Sequence, residues 1–227
     1  MMKAEENHEM KFSFPVPCKC GETFSVHVTG IEFPEDAKRP KCNSTIWLVP
    51  PLGNLVGMAI LGRANAEVQG GDWTIAIVLS AMAVECDMAY LFMKWNRVEL
   101  MATRDPNEAD EEAWETEWRK ILGVAPRLDK VSSLLTGKLF DLFLSQDSRL
   151  LQSLHTCCPA SRAVASPKEF FSKELFHKRN KVVHFGEINF QKADAEMCLR
   201  LATTLTQILR AMDAESCRAL DAKHSAR

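Results

Sequence analysis

The chain has 227 residues, of which 46% are apolar and 26% are charged, so it has enough apolar material for one or two folded domains and too little charge imbalance for intrinsic disorder. Its 28 basic and 30 acidic residues give a net charge of −2, which excludes a basic field over the whole surface. Any contact with nucleic acid must therefore come from a local basic cluster.

The N-terminal residues do not have the pattern of an export signal. Residues 1–10 are polar and acidic, no apolar segment comes after them, and we predict them to be disordered. The strongest apolar run, from Trp73 to Val84, is broken by Glu85 and is shorter than the about 20 residues that a membrane span requires. The sequence thus predicts a cytoplasmic protein without a membrane partner, in which the eight cysteines are not paired in disulfides.

Residues 11–50 have the composition of a small β-rich module. They include five prolines, three cysteines and the β-forming run 24–28. The interval 51–71 is rich in glycine, which predicts a connector with one short helix at most. The domain boundary is expected there.

The cysteines of this module resemble part of a zinc ribbon. Cys18 and Cys20 resemble its first knuckle and Cys42 resembles half of its second, but Arg39 stands where the ribbon pattern has a cysteine. Structural zinc takes four ligands, so these thiolates need His27 to complete the site. The incomplete set favours a ribbon-like module that has lost its metal, with structural zinc as the alternative.

From residue 72 onward the pattern is helical. Asp72 is the predicted N-cap of a helix that runs from Trp73 to about Met101. Apolar residues cover nearly its whole circumference, which is typical of the buried centre of a bundle. The charged residues inside it, Glu85 and Asp87, are therefore candidates for a special role.

Two outer helices are predicted after this central one. The acidic stretch 105–117 begins a solvated helix that ends near Val124. Beyond Pro126, apolar residues recur at spacings of three and four, which indicates one amphipathic helix on the outside of the bundle. The residues of this stripe are Leu128, Val131, Leu135, Leu139 and Leu142.

The next helix along the chain has the clearest start signal. Ser166 is a favourable N-cap, Pro167 takes the first helical position, and Gly186 is expected to end the helix. Asn189 is the predicted N-cap of the last helix. Residues 215–227 are predicted to form a polar tail that is frayed after Ala219.

The end of the helix that starts at Pro167, from 173 to 186, concentrates basic side chains. Four basic residues stand there against one acidic residue. In a chain of slightly negative net charge, such a segment is suited to a phosphate or a nucleic-acid backbone. The four residues are Lys173, Lys178, Arg179 and Lys181.

Three further polar side chains of this segment share one face of the helix. His177, Asn180 and His184 stand at positions i, i+3 and i+7. His184 lies in the last turn, where the helix dipole stabilises a protonated imidazole. An imidazole there can exchange protons near neutral pH, which suits acid–base chemistry on a phosphodiester.

The segment from Arg179 to His184 resembles the signature of the HEPN superfamily (higher eukaryote and prokaryote nucleotide-binding domains). That signature is an Arg and a His separated by four residues, here with Asn180 directly after the Arg, near the end of the third long helix. The resemblance covers residues 72–214 and implies a mainly α fold, a bundle of four to five helices. Many members are metal-independent endoribonucleases, often toxins or antiviral effectors, that work as dimers with two motifs facing one cleft.

The resemblance implies cleavage of RNA to 2′,3′-cyclic phosphate and 5′-hydroxyl ends without a cofactor. His184 would act on the ribose 2′-hydroxyl as a base or polarising partner, and Arg179 would stabilise charge on the phosphate. Asn180 would orient the phosphate or the imidazole. Glu85 and His177 are the expected supporting residues, with Glu85 paired to Arg179.

The two motif residues pose a geometric problem. Five positions correspond to about 140° around an ideal helix, so Arg179 and His184 do not share a face. Three solutions stay open. The helix unwinds after Val182, the long guanidinium reaches round, or Arg179 of one subunit meets His184 of another.

Two other functions stay open as well. A non-catalytic HEPN-like module would bind a nucleotide, RNA or a partner protein through the same basic cleft. A purely structural bundle would use none of these side chains. For the nuclease, the expected partners are RNA, a second copy of the chain, and an antitoxin or regulatory protein.

Overall fold

The computed structural model divides the chain into two units, between Pro51 and Leu52. The backbone is described for residues 11–17, 23–29, 36–38, 45–47 and 52–225, and the side chains for residues 56–220 and 222. In the described part of the first unit, strands pair in antiparallel fashion. The pairs are β1 (Lys11–Pro17) with β2 (Thr23–Thr29), and β3 (Asp36–Lys38) with β4 (Thr45–Trp47).

The second unit is a bundle of helices, which confirms the predicted mainly α fold for the residues from 56 to 220. Its helices are α1 (Leu52–Gly70), α2 (Trp73–Met101), α3 (Glu108–Lys120), α4 (Val124–Thr136), α5 (Phe140–Gln146), α6 (Ser148–Cys157), α7 (Pro167–Phe171), α8 (His177–Phe185) and α9 (Lys192–Ser225). A 3₁₀ turn (Pro159–Ala163) precedes α7, and a π-helical turn (Ser172–Phe176) joins α7 to α8.

Helix α2 is the centre of the bundle, as predicted. The Asp72 side chain caps its start by accepting a hydrogen bond from the backbone N–H of Ile75 at 3.1 Å. The helix packs against α1, α4, α8 and α9. Its largest fully buried side chains are Ile77, Met88, Leu91 and Phe92.

By length and composition alone, α2 is also apolar enough to cross a membrane, although the sequence predicts that its apolar run is too short. In the bundle, 56% of its most apolar window is buried. Such burial is typical of a core helix that its neighbours cover on most sides.

The prediction of a connector over 51–71 is wrong, because α1 occupies 19 residues of this interval. The reason lies in what one of its glycines does. A Cβ at Gly57 would lie 2.2 Å from Oδ1 of Asp87 in α2. The glycine therefore permits close approach of two packed helices rather than a turn, and sequence alone does not distinguish these uses.

The prediction of one amphipathic helix over the stripe that begins at Leu128 is also wrong. Gly137 adopts a left-handed conformation with φ of 70° and ends α4, and α5 begins at Phe140. The chain changes direction at Gly137, so the apolar residues before and after it no longer lie on one helix face. Its first three residues are buried, whereas Leu139 and Leu142 are 56% and 51% exposed.

The last helix differs from its prediction at both ends. Its start is at Lys192 rather than after Asn189, and the Asp194 carboxylate accepts a hydrogen bond from the backbone N–H of Gln191 at 3.1 Å. The predicted fraying after Ala219 is wrong, because α9 continues to Ser225. Ser216 within it is buried and donates to the carbonyl oxygen of Leu135 at 2.6 Å, which fastens this part of α9 to α4.

Candidate functional site

The helix that contains the motif is built as predicted at both ends. The Ser166 hydroxyl accepts from the backbone N–H of Glu169 at 3.4 Å and donates to the Asp141 carboxylate at 2.7 Å. At the other end, Gly186 has φ of 66° and its N–H donates to the carbonyl oxygen of Val182 at 3.0 Å. The helix therefore continues to Phe185, so the first of the three solutions, unwinding after Val182, is wrong.

A π-helical turn, Ser172–Phe176, lies directly before the motif. Such a turn inserts an extra residue into the helix and rotates the residues after it relative to an uninterrupted α-helix. Turns of this kind are frequent at functional sites. Here the first and last residues of the turn, Ser172 and Phe176, line a cleft that the motif also reaches.

This open cleft of about 390 Å³ lies where α8 faces α2 and the start of α4. All five residues predicted to act or to support catalysis line it. They are Glu85, His177, Arg179, Asn180 and His184. Side chains from distant parts of the sequence thus converge on one cavity, as expected for a binding or active site.

The Arg179 guanidinium lies between two acceptors. It forms an ion pair with the Glu85 carboxylate of α2, as expected from the sequence, and its Nη1 donates to Oδ1 of Asn180 at 2.8 Å. The side chains of Arg179 and Glu85 are 21% and 23% exposed, so the pair is largely shielded from water. An arginine has five N–H donors, so donors beyond those two bonds can face a ligand in the cleft.

Two histidines lie along this cleft, His184 exposed and His177 also exposed. His184 lies in the last turn of α8. Arg179 and His184 of one chain therefore reach the same cleft although they do not share a helix face. The guanidinium itself is held by Glu85 of α2 and by Asn180.

The three lysines predicted to bind phosphate are not among the residues that line the cleft. Lys178 donates to Asp194 at 3.0 Å, and Lys181 lies 3.5 Å from Glu187. Burial lowers the pKa of Lys178, but the hydrogen bond to Asp194 and the nearby negative charges together raise it by more. The basic segment, which also includes Lys173, is thus not a single cation site, because two of its lysines are paired with carboxylates.

Sequence reasoning missed one cleft residue of clear chemical character, Arg127. It lies in the first turns of α4, its Nε donates to the carbonyl oxygen of Ile121 at 3.1 Å, and its guanidinium lies 4.8 Å from the ring centre of Trp118. No motif marks this arginine in the sequence. Its place in the cleft depends on how the corner between α3 and α4 packs against the π-helical turn.

The zinc prediction concerns residues outside those whose side chains the structure describes. Cys18, Cys20 and Cys42 are among them, as is the side chain of His27. Within the described part of the chain, no three His, Cys, Asp or Glu residues are grouped so as to hold a metal ion. The five cysteines of the described helical unit form no disulfide.

No family model, curated protein or solved structure matches this chain. What the described residues define is a helical bundle with an Arg–Glu–Asn cluster and two exposed histidines at one cleft. Function is therefore inferred from this geometry together with the resemblance in the motif.

Proposed function

We propose that this protein is a metal-independent endoribonuclease of HEPN type, which cleaves RNA to 2′,3′-cyclic phosphate and 5′-hydroxyl ends. One observation supports the proposal above all others. The motif residues Arg179, Asn180 and His184 line the same open cleft together with Glu85. A cation for the phosphate and a proton acceptor for the ribose are the two groups that this reaction requires.

In the proposed reaction, the imidazole of His184 accepts the proton of the ribose 2′-hydroxyl. The 2′-oxygen then attacks phosphorus, the bond from phosphorus to the 5′-oxygen breaks, and water protonates the leaving oxygen. Arg179 stabilises the charge that builds on the non-bridging phosphate oxygens. Asn180 fixes the direction of the guanidinium through its 2.8 Å hydrogen bond.

His177 has a different role in this proposal. It precedes His184 by seven residues, which corresponds to about 10 Å along the helix axis. A side chain that handles the same proton must be within about 3 Å of it, so we assign His177 to positioning the RNA strand along the cleft. The proposal also takes from the resemblance a cytoplasmic homodimer that serves as a toxin or antiviral effector under the control of an antitoxin or regulatory protein.

The test is cleavage of an end-labelled RNA pool in EDTA by the parent protein, His184→Ala and His155→Ala. His155 lies on α6 and is not among the residues of the cleft, so its replacement is the matched control. We expect the parent and His155→Ala to cut equally and to leave cyclic phosphate ends, and His184→Ala to be inactive. Equal cutting by His184→Ala, or no cutting by a folded parent across a diverse RNA pool, contradicts the proposal.

A second candidate is a non-catalytic HEPN-like module that binds RNA, a nucleotide or a partner protein. It is favoured by the state of Arg179, whose charge is already offset by Glu85 as in an ordinary structural ion pair. This module would bind RNA without cutting it. Its affinity for RNA would fall with Arg179→Ala and stay unchanged with His184→Ala. A nuclease would instead lose its turnover with either substitution.

A further inference from the structure

The cleft contains a second arginine that belongs to neither the motif nor its helix. Arg127 comes from α4, on the side of the cleft away from α8. Its position is fixed at two points, because Nε donates to the Ile121 carbonyl oxygen at 3.1 Å and the guanidinium lies over Trp118 at 4.8 Å. Two Nη groups remain to face a ligand.

The charge of Arg127 is not offset as that of Arg179 is. Among the described residues, no carboxylate forms an ion pair with Arg127, and the acidic residues near it in sequence bind elsewhere. Glu117 pairs with Lys130 at 2.7 Å, and Asp129 pairs with Lys168. With Glu85 neutralising Arg179, Arg127 supplies the net positive charge of the cleft.

A guanidinium that is fixed and carries two outward N–H donors suits one particular ligand group. Its fork matches two oxygens of a phosphate, and holding it in advance reduces the entropy lost on binding. A guanidinium also holds its donors in one plane, which the ammonium group of a lysine cannot do. The geometry is thus that of a prepared phosphate site rather than a solvated surface charge.

We propose that Arg127 binds a phosphate next to the scissile one, so that the cleft takes an RNA strand with at least two phosphates. The inference rests on the proposed function, in which Arg179 and His184 act on the scissile phosphate. It adds that the bound unit spans from α8 to α4. Arg127 is then a positioning residue, and a substrate with a single phosphate does not use it.

The experiment compares three substrates, one with a single phosphate and two with a second phosphate. The first is a dinucleoside monophosphate, and the other two are the same compound with an added terminal phosphate at the 5′ or the 3′ end. We measure kcat/KM in EDTA for the parent, Arg127→Gln and the control Arg119→Gln. Arg119 lies exposed on α3, pairs with Glu115 and does not line the cleft.

We expect Arg127→Gln to lower kcat/KM about tenfold on one of the two-phosphate compounds, which is typical for loss of a charged hydrogen bond. On the one-phosphate compound it should stay within about twofold of the parent. Arg119→Gln should leave all three values unchanged. An equal loss of kcat/KM on the one-phosphate and the two-phosphate compounds indicates a purely structural role for Arg127 and overturns the inference. No loss on any of the three compounds overturns it as well.

Two further measurements keep the test decisive. If Arg127→Gln melts far below the parent, Arg127→Lys replaces it in the same comparison. This variant keeps the positive charge but lacks the forked pair of N–H donors, so it should lose part of the preference for the second phosphate. If the parent cuts none of the three compounds, cleavage of the RNA pool alone decides the nuclease proposal. The inference then stands or falls on whether the parent, and not Arg127→Gln, binds 2′-deoxy versions of the two-phosphate compounds more tightly.

Discussion

Glu85 sets how much positive charge Arg179 presents to the cleft. The two side chains form a largely shielded ion pair, so the guanidinium of the free protein is close to neutralised. Glu85→Gln keeps a side chain that can accept a hydrogen bond but removes the negative charge. We expect affinity for 2′-deoxy RNA analogues to rise about fivefold, equivalent to about 1 kcal/mol for a partly exposed pair.

Fluorescence titration at fixed salt measures this change, with Glu67→Gln as the control because Glu67 pairs with Arg63 on α1, away from the cleft. A fall in affinity for Glu85→Gln would mean that the carboxylate is needed to orient Arg179 rather than to restrain it. In that case Glu85 belongs to the binding site as a positioning group. A rise in affinity thus indicates that Glu85 restrains the charge of Arg179, and a fall indicates that Glu85 orients its guanidinium.

Asp87 is a buried carboxyl group two residues further along α2. Burial raises its pKa from 3.8 to about 6, and the nearby Arg210 and Thr206 oppose the shift. Because the folded-state pKa is raised, the folded protein binds more protons than the unfolded chain between about pH 4 and 6, and the free energy of unfolding falls as pH rises through that window. The full cost, on the order of 3 kcal/mol, is present at neutral pH.

Asp87→Asn tests this pH dependence. The side chain of the variant cannot lose a proton, so its free energy of unfolding should gain on that of the parent from pH 4 to pH 7, and the difference should level off above pH 7. Urea unfolding of both proteins at several pH values supplies the measurement. A constant difference across that range would show that Asp87 does not titrate in the window.

At the scale of helices, the contact between α1 and α2 depends on one missing side chain. A Cβ at Gly57 would collide with the Asp87 carboxylate at 2.2 Å, whereas one at Gly62, in the same helix, meets nothing within 4 Å. We expect Gly57→Ala to lower the free energy of unfolding by about 1–3 kcal/mol through overpacking. Gly62→Ala should raise it by up to about 1 kcal/mol, since alanine favours helix over glycine.

Chemical denaturation of the two alanine variants measures both effects against one parent. The two changes are identical in chemistry, so helix propensity cancels in the comparison and the contact with α2 remains. Equal effects of the two substitutions would mean that α1 can shift away from α2 without cost. The close packing would then not hold α1 in place.

The glycines of the chain illustrate what could and could not be predicted from the sequence. Local signals were sufficient for α2, for the cap at Ser166 and for the stop at Gly186, because each depends on residues next to one another. The motif from Arg179 to His184 is a local pattern of the same kind. Local signals failed where a glycine serves packing, as at Gly57, and where a helix breaks within an apolar stripe, as at Gly137.

The side of the cleft opposite α8 could not be predicted from the sequence. Arg127 is one polar residue on an amphipathic helix until the fold brings it over Trp118 and beside the motif. The count of basic residues in the motif helix overestimated its positive charge. It left out Glu187, just after α8, and Asp194 in α9, which pair with Lys181 and Lys178.

At the scale of the whole molecule, the structure bears on how two copies would share the chemistry. One chain brings Arg179 and His184 to one cleft, so each site of a homodimer would use both residues from the same subunit. Mixing Arg179→Ala with His184→Ala tests this arrangement. Each subunit of the mixed dimer lacks one residue, and we expect the mixture to stay as inactive as either variant alone.

If instead Arg179 of one subunit served His184 of the other, the mixed dimer would contain one intact site, and a random mixture would recover a sizeable fraction of the parent activity. The control for subunit exchange is a mixture of two copies of the parent with different affinity tags, because only mixed dimers then carry both tags. Recovery after exchange would mean that the pair of Arg179 with Glu85 is a resting contact that dimer formation replaces. Absence of recovery would leave the cleft of a single chain as the complete unit of chemistry, with the second copy needed for holding the RNA or for control.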